Sequence, residues 1–185
     1  MDRSVHIFGR GRAELRGRGP FYMIHSTSSR STLDRLRIDN QTEGNSFTLR
    51  VSGGHLRLQG CDVSSRRAEN GYPALYASGA STLADALGCT FRSGAGDGIW
   101  LDDGASGRVE GCNIRGCSRN GICLDGAGTA PLLSCNTIRD FKRGIVILPS
   151  LDPSWPLGKG NVFINCADGD VVDHRGPPLG PGPGN

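Results

Sequence analysis

Val109-Glu110-Gly111-Cys112-Asn113-Ile114, a Gly-containing turn, and then Gly121-Ile122-Cys123-Leu124: this stretch has counterparts on both sides of itself. The first block returns as Leu58-Gln59-Gly60-Cys61-Asp62-Val63, as Ala86-Leu87-Gly88-Cys89-Thr90-Phe91 and as Leu132-Leu133-Ser134-Cys135-Asn136-Thr137-Ile138. The second returns as Ala74-Leu75-Tyr76-Ala77, Gly98-Ile99-Trp100-Leu101 and Gly144-Ile145-Val146-Ile147. The pattern reaches back to Leu36-Arg37-Ile38 and forward, with Asn in place of Cys, to Asn161-Val162-Phe163. Self-similarity at a fixed period marks a repeat architecture, in which each unit buries its apolar face against its neighbours.

Within each unit apolar residues alternate with variable ones, the period-two signature of strands with one face inward; helical periodicity is absent. Units of about 23 to 28 residues, with at least two short strands each and Gly between them, predict an all-β, single-stranded, right-handed parallel β-helix. Leucine-rich repeats share this period, but the chain lacks their dense Leu scaffold and the second block reads as strand. Val5, Ile7, Ala13, Leu15, Phe21 and Met23 supply a degenerate first coil. About seven coils result, stacked into a rod of roughly 34 Å. The expected organisation is residues 1–30 as amino-terminal segment and degenerate first coil, 31–175 as the parallel β-helix, and 176–185 as a Pro/Gly-rich tail.

Composition agrees with one domain and narrows function little. The chain has 185 residues, 36% hydrophobic and 21% charged, with 29 Gly that follow no three-residue period; collagen is excluded and frequent turning is implied. A net charge of +3 without dense Lys/Arg runs gives no footprint for sequence-specific nucleic-acid binding. No apolar run suffices for a membrane span, and Met1–Phe8 has no secretory or transit character. Seven Cys without a C-x-x-C pair or His cluster signal neither a closed disulfide set nor a zinc site. Reduced thiols, and hence a reducing compartment, are the simpler reading. Cys61, Cys89, Cys112 and Cys135 are expected to form an inward ladder of small apolar side chains, with Asn161 bonding main chain at its end. Cys117, Cys123 and Cys166 fall off that ladder; Cys123 is expected to point outward and to be the most reactive.

The recurrent unit, an apolar strand, Gly-Cys-x-apolar, a Gly-containing turn and Gly-Ile-x-Leu, resembles the parallel β-helix repeats of the pectate-lyase-like superfamily over residues 31–173. It is most similar to the generic right-handed β-helix domains of F-box β-helix proteins and related bacterial proteins. The resemblance implies a fold but no one activity, since that superfamily holds polysaccharide lyases, hydrolases and epimerases beside modules without chemistry. Motifs that its enzymes would imply are incomplete here. Asp152-Pro153-Ser154-Trp155 matches an Asp-Pro-His-Glu motif at two positions, Val171-Val172-Asp173-His174 resembles a lyase strand ending, and Asp102-Asp103 lacks the companions of the polygalacturonase pair. No catalytic residue, cofactor or metal site is assigned. Asp102, Asp103 and Asp125 do not by themselves supply the six or more oxygens that Ca²⁺ takes.

Two surface columns carry the functional expectation. Arg92, Arg115 and Arg139 stack on successive coils, with Arg119, Lys142 and Arg143 in adjoining turns, so that an anionic partner could be held through guanidinium forks. The plainer reading is a solvated ladder relieved by Asp140. The second strand presents Arg50, Tyr76, Trp100, Cys123, Val146 and Val172 outward, with Tyr76, Trp100 and Val146 as the core of a docking stripe. The loop from Leu148 to Lys159, with Pro149, Leu151, Trp155 and Leu157, could instead fold back and cover it. The expected function is a non-catalytic scaffold or docking subunit of a larger protein assembly. The alternative is a carbohydrate-active protein, a polysaccharide lyase, epimerase or glycan-binding module for acidic polysaccharide.

Overall fold

The corners of the chain are set by single residues in the left-handed backbone region, one per coil. Arg35, Gly60, Gly88, Gly111, Cys135 and Gly160 have φ of 52°, 57°, 58°, 61°, 54° and 71°. A backbone bent this way ends one strand and starts the next at an angle, at little cost for Gly and at more for a residue with a Cβ. The computed structural model describes residues 4–11, 13–18, 21–42, 46–65, 72–116 and 118–176, and each of the first six coils holds three strands, with such a residue at the corner between the first and second from the second coil on.

The first coil is β1 (Val5–Phe8), β2 (Glu14–Gly17) and β3 (Tyr22–Ser26). The second is β4 (Ser31–Asp34), β5 (Arg37–Asn40) and β6 (Phe47–Val51), and the third is β7 (Gly54–Gln59), β8 (Asp62–Ser65) and β9 (Leu75–Ser78). The fourth holds β10 (Thr82–Leu87), β11 (Thr90–Ser93) and β12 (Ile99–Asp102), and the fifth β13 (Ser106–Glu110), β14 (Asn113–Arg115) and β15 (Asn120–Leu124). The sixth is β16 (Ala130–Ser134), β17 (Thr137–Arg139) and β18 (Arg143–Ile147); a seventh adds β19 (Val162–Ile164) and β20 (Val171–Asp173). All pairings are parallel between successive coils, which gives three sheets: β1-β4-β7-β10-β13-β16, β2-β5-β8-β11-β14-β17-β19 and β3-β6-β9-β12-β15-β18-β20. The parallel β-helix expected from the repeat is therefore present, with three strands per coil. Val109-Glu110-Gly111-Cys112-Asn113-Ile114 is the end of β13, a corner and the start of β14.

Like residues stack inside. Ile38, Val63, Phe91, Ile114 and Ile138 follow one another through the second sheet, and Leu49, Leu75, Ile99, Ile122 and Ile145 through the third, all fully buried. The Gly that opens each Gly-Ile-x-Leu block is dictated by how closely coils approach there. A Cβ on Gly98, Gly121 or Gly144 would stand 2.6, 2.7 or 2.3 Å from a carbonyl oxygen of the next coil.

The thiol ladder differs from expectation at its fourth rung. Cys61, Cys89 and Cys112 are buried, but Cys135 is exposed and occupies the corner position that Gly111 and Gly160 take in the coils on either side. Asn136 fills the inward slot. Its Nδ2 donates to Val109 O at 2.8 Å and to Asn161 Oδ1 at 3.0 Å, and its Oδ1 accepts from Cys112 N at 2.9 Å. Asn161 Nδ2 donates to Leu133 O at 3.2 Å, so Asn161 bonds main chain at the end of the column as expected. These bonds satisfy the buried Asn136 amide, which would otherwise weaken the core.

The loop after β18 takes the place of a first-sheet strand in the seventh coil. Lys159 O accepts from Cys135 N at 3.0 Å, and Leu151 and Trp155 are buried in the core cluster, with Trp155 Nε1 donating to Pro131 O at 3.1 Å. Arg175 holds this loop, donating from Nη1 to the carbonyls of Asp152 and Trp155 at 3.0 and 2.8 Å while its other nitrogens grip the Asp173 carboxylate. Cys117 and residues 177–185 of the expected tail lie outside the described residues.

Candidate docking surface and arginine groove

The outward column of the third sheet runs in register as the sequence implies: His25, Arg50, Tyr76, Trp100, Cys123, Val146 and Val172 are successive parallel partners. Its exposure is uneven. Cys123 and Val146 are buried although they face outward, whereas Arg50, Tyr76, Trp100 and Val172 are half-buried. Of the loop side chains expected to cover the stripe, Leu151 and Trp155 are in the core instead and Leu157 is exposed.

The half-exposed part of the column is an aromatic patch. Phe47 stacks on Tyr76 with ring centroids 4.9 Å apart and planes 17° from parallel, Tyr72 meets Phe47 edge-on at 4.6 Å, and Trp100 meets Tyr76 edge-on at 5.5 Å. The Arg50 guanidinium lies 5.9 Å from the Phe47 ring centre. Offset and edge-to-face contacts of this kind fix the rings in place, each worth about 0.5–1.5 kcal/mol beyond area burial. Tyr76 Oη donates to Asp102 Oδ2 at 3.2 Å, and burial pushes both groups toward their protonated forms. Among the described residues, no partner reaches the buried Trp100 Nε1. Phe47 and Tyr72 were not legible as members of the patch, because Phe47 begins its strand and Tyr72 precedes one; only the coil stacking brings Phe47 between Tyr72 and Tyr76.

The Cys123 thiol is the reverse of what its outward position suggests. Burial, followed by the Asp97 carboxylate, pushes it up to about 12. Cys135 is the exposed thiol among the described residues. On the native protein, brief alkylation followed by peptide mass spectrometry is expected to label Cys135 ahead of Cys123, Cys61, Cys89 and Cys112. Labelling of Cys123 first would contradict this burial.

Arg92, Arg115 and Arg139 stack in the second sheet, as partners of one another across β11, β14 and β17. Repulsion at the first rung is relieved by Asp62, which Arg92 Nη1 grips; Asp140 instead accepts from Asn165 Nδ2 at 3.1 Å. Arg92 and Arg115 join Arg37, Asp62, Ser64, Ser65 and Ser93 in lining a groove of ≈ 440 Å³. Arg119 and Arg143 do not line it. They stand at the start of the third sheet, where both charges act on the buried Asp97 and Arg119 Nε lies 4.0 Å from its carboxylate.

The strings that resemble catalytic motifs have structural duties. Asp173 is bound by Arg175, which holds its carboxyl below the usual range, and His174 N donates to Ile147 O at 2.9 Å. Asp103 sits at a corner with φ 51° and accepts from Ser78 Oγ at 3.3 Å, while Asp102 accepts from both Tyr76 and the Asp103 amide. On the first sheet His55 Nε2 is 3.0 Å from Asp85 Oδ2, and Arg108 closes on the same carboxylate from the next coil. Among the described residues no group of three or more His, Cys, Asp or Glu is placed to hold a metal ion.

A family model described as a right-handed β-helix region matches residues 22–178. No curated protein and no solved structure matches the chain.

Proposed function

The chain belongs to the right-handed β-helix family, and from that premise we propose that it is a non-catalytic docking subunit which engages a partner protein through the aromatic patch of its third sheet. The observation that carries this reading is the set of four rings, Phe47, Tyr72, Tyr76 and Trp100, locked together on a surface that remains half-exposed. Interface hot spots are enriched in Tyr, Trp and Arg, Tyr and Trp because they bury much area with few rotors, and here Arg50 borders the rings. A stack of parallel sheets suits the role, since its rigidity presents the patch without an ordering cost.

The test is a pair of substitutions, Tyr76→Ala with Trp100→Ala, in tagged chain purified from its source. Wild type is expected to bring down a stoichiometric partner and the double variant to lose it, while Arg57→Ala on the first sheet keeps it. Retention of the partner by the double variant would refute this docking face. A second reading has its own observation, the groove lined by Arg37, Arg92 and Arg115 with three serines beside them. It suits an acidic polysaccharide held by guanidinium forks. Salt-sensitive retention on such a polymer, abolished by Arg92→Ala with Arg115→Ala, would favour it.

A further inference from the structure

We infer that the partner segment seated on the aromatic patch is basic, and that one of its Arg or Lys side chains lies across Tyr76 and Trp100 with its charge on Asp102, Asp103 and Asp125. This rests on the reading of that face as a docking surface and adds the chemistry of what it holds.

Three carboxylates meet at the edge of the rings. Asp102 ends β12, Asp103 turns the corner after it, and Asp125 follows β15 one residue past Leu124, the register partner of Leu101. The two coils are in close contact here: a Cβ on Gly126 would stand 2.8 Å from Asp102 Oδ1 and 2.3 Å from Asp103 N. The donors that reach these carboxylates are all neutral. Tyr76 Oη and the Asp103 amide serve Asp102, Ser78 Oγ serves Asp103, and the Gly126 amide and Ser150 Oγ serve Asp125. Asp39, Asp62, Asp85, Asp97 and Asp173 each have an arginine within 4.0 Å. Among the described residues no Arg, Lys or His is paired with Asp102, Asp103 or Asp125. Burial first, and then the Asp103 and Asp125 charges, push the Asp102 carboxyl up. In a chain whose net charge is +3, this corner is acidic and lacks a cation of its own.

Coverage turns that lack into a requirement on the partner. Tyr76 Oη donates to Asp102 at 3.2 Å, so a segment that buries the Tyr76 ring buries that carboxylate as well. A carboxylate taken out of water without a cation is costly, and a neutral or acidic segment would leave it so. A basic side chain removes the cost and gains from the rings, whose faces attract a guanidinium or an ammonium. The patch already makes such a contact once, where the Arg50 guanidinium lies against Phe47. Arg50 therefore fills the Phe47 end of the rings, and the Trp100 end beside the carboxylates is left for the partner's cation. Arg119 and Arg143, at the start of the third-sheet strands, act on the buried Asp97 instead.

Fluorescence anisotropy with dye-labelled hexaarginine, and with hexaglutamate as its opposite, tests this on the 185-residue chain. Wild type is expected to bind hexaarginine and to ignore hexaglutamate. The triple variant Asp102→Asn, Asp103→Asn, Asp125→Asn keeps an acceptor oxygen at each position and is expected to bind at least about tenfold more weakly, as is Tyr76→Ala with Trp100→Ala. A charge-matched control away from the patch, Glu110→Gln, Asp140→Asn, Asp168→Asn, is expected to stay within about twofold of wild type. Circular dichroism checks that the coils are kept; if the Asp102 triple variant loses them, Asp103→Asn alone replaces it, at an exposed corner where Asn suits the left-handed backbone, with an expected loss of about threefold. No binding of hexaarginine by wild type, equal weakening by the two triple variants, or undiminished binding by the aromatic variant would each overturn the inference. The native partner separates this from the docking reading: if wild type ignores hexaarginine while Tyr76→Ala with Trp100→Ala still loses that partner, the docking face stands and its basic occupant falls.

Discussion

Phe91→Ala is expected to cost about 3–5 kcal/mol, a large fraction of the stability of a domain of this size. Phe91 heads the fully buried side chains by volume and sits in the second-sheet column between Val63 and Ile114. Its loss opens a cavity on the axis of the rod, where flanking coils are held by parallel backbone bonds on three sides and collapse only partly. Equilibrium urea unfolding followed by circular dichroism reads the effect, with Phe91→Leu as the control that keeps most of the volume. The control is expected to lose no more than about 2 kcal/mol, because a γ-branched side chain refills much of the space. A loss below about 1 kcal/mol for the Ala variant would mean that the inward column is not the main support of the stack.

Gly121→Ala is expected to destabilise by about 2–3 kcal/mol although it adds a single methyl group. Its Cβ would lie 2.3 Å from Ile138 Cγ2 and 2.7 Å from Gly144 O. The isoleucine can change rotamer, but the carbonyl belongs to the next coil and yields only if β18 moves away from β15. Gly111 is the counter-case: its φ is 61° and nothing stands within 4 Å of a Cβ there. Gly111→Ala is therefore expected to cost only the left-handed backbone penalty, about 1 kcal/mol. Thermal melts of the two variants in parallel measure the order, and equal or reversed losses would contradict the close-approach account of the repeat.

These two glycines show how far the sequence could be read. Recurrence of the second block, Gly-Ile-x-Leu and its variants, identified β9, β12, β15 and β18, and alternation gave their inward and outward faces, because parallel stacking repeats whatever one coil does. The first block misled in one respect. Val109 to Ile114 looks like one strand, yet Gly111 bends it into two, so the third strand of each coil was hidden at a corner. Matching Cys to Cys placed Cys135 one residue out of register, although the sequence held the remedy. Cys112 stands two before Ile114, and two before Ile138 stands Asn136. Cys123 and Arg175 were beyond reach for another reason. The burial of the thiol beside Asp97, and the reach of the guanidinium to the carbonyls of Asp152 and Trp155 in the loop before it, arise only after the chain has wound.

The candidate surfaces divide along the same line. The Arg92–Arg115–Arg139 ladder and the Tyr76–Trp100 column lie where period-two counting put them. The partners that decide their character, Asp62 on Arg92 and Phe47 on Tyr76, come from neighbouring coils.

The most direct measurement of the docking role is the mass of the native particle purified from its source in mild salt, by size exclusion with light scattering and with subunits identified by mass spectrometry. The account predicts a complex well above the 19.5 kDa of the chain, containing a second protein that the Tyr76→Ala, Trp100→Ala variant no longer holds. A particle made of this chain alone would contradict it, and so would a complex whose composition the variant leaves unchanged.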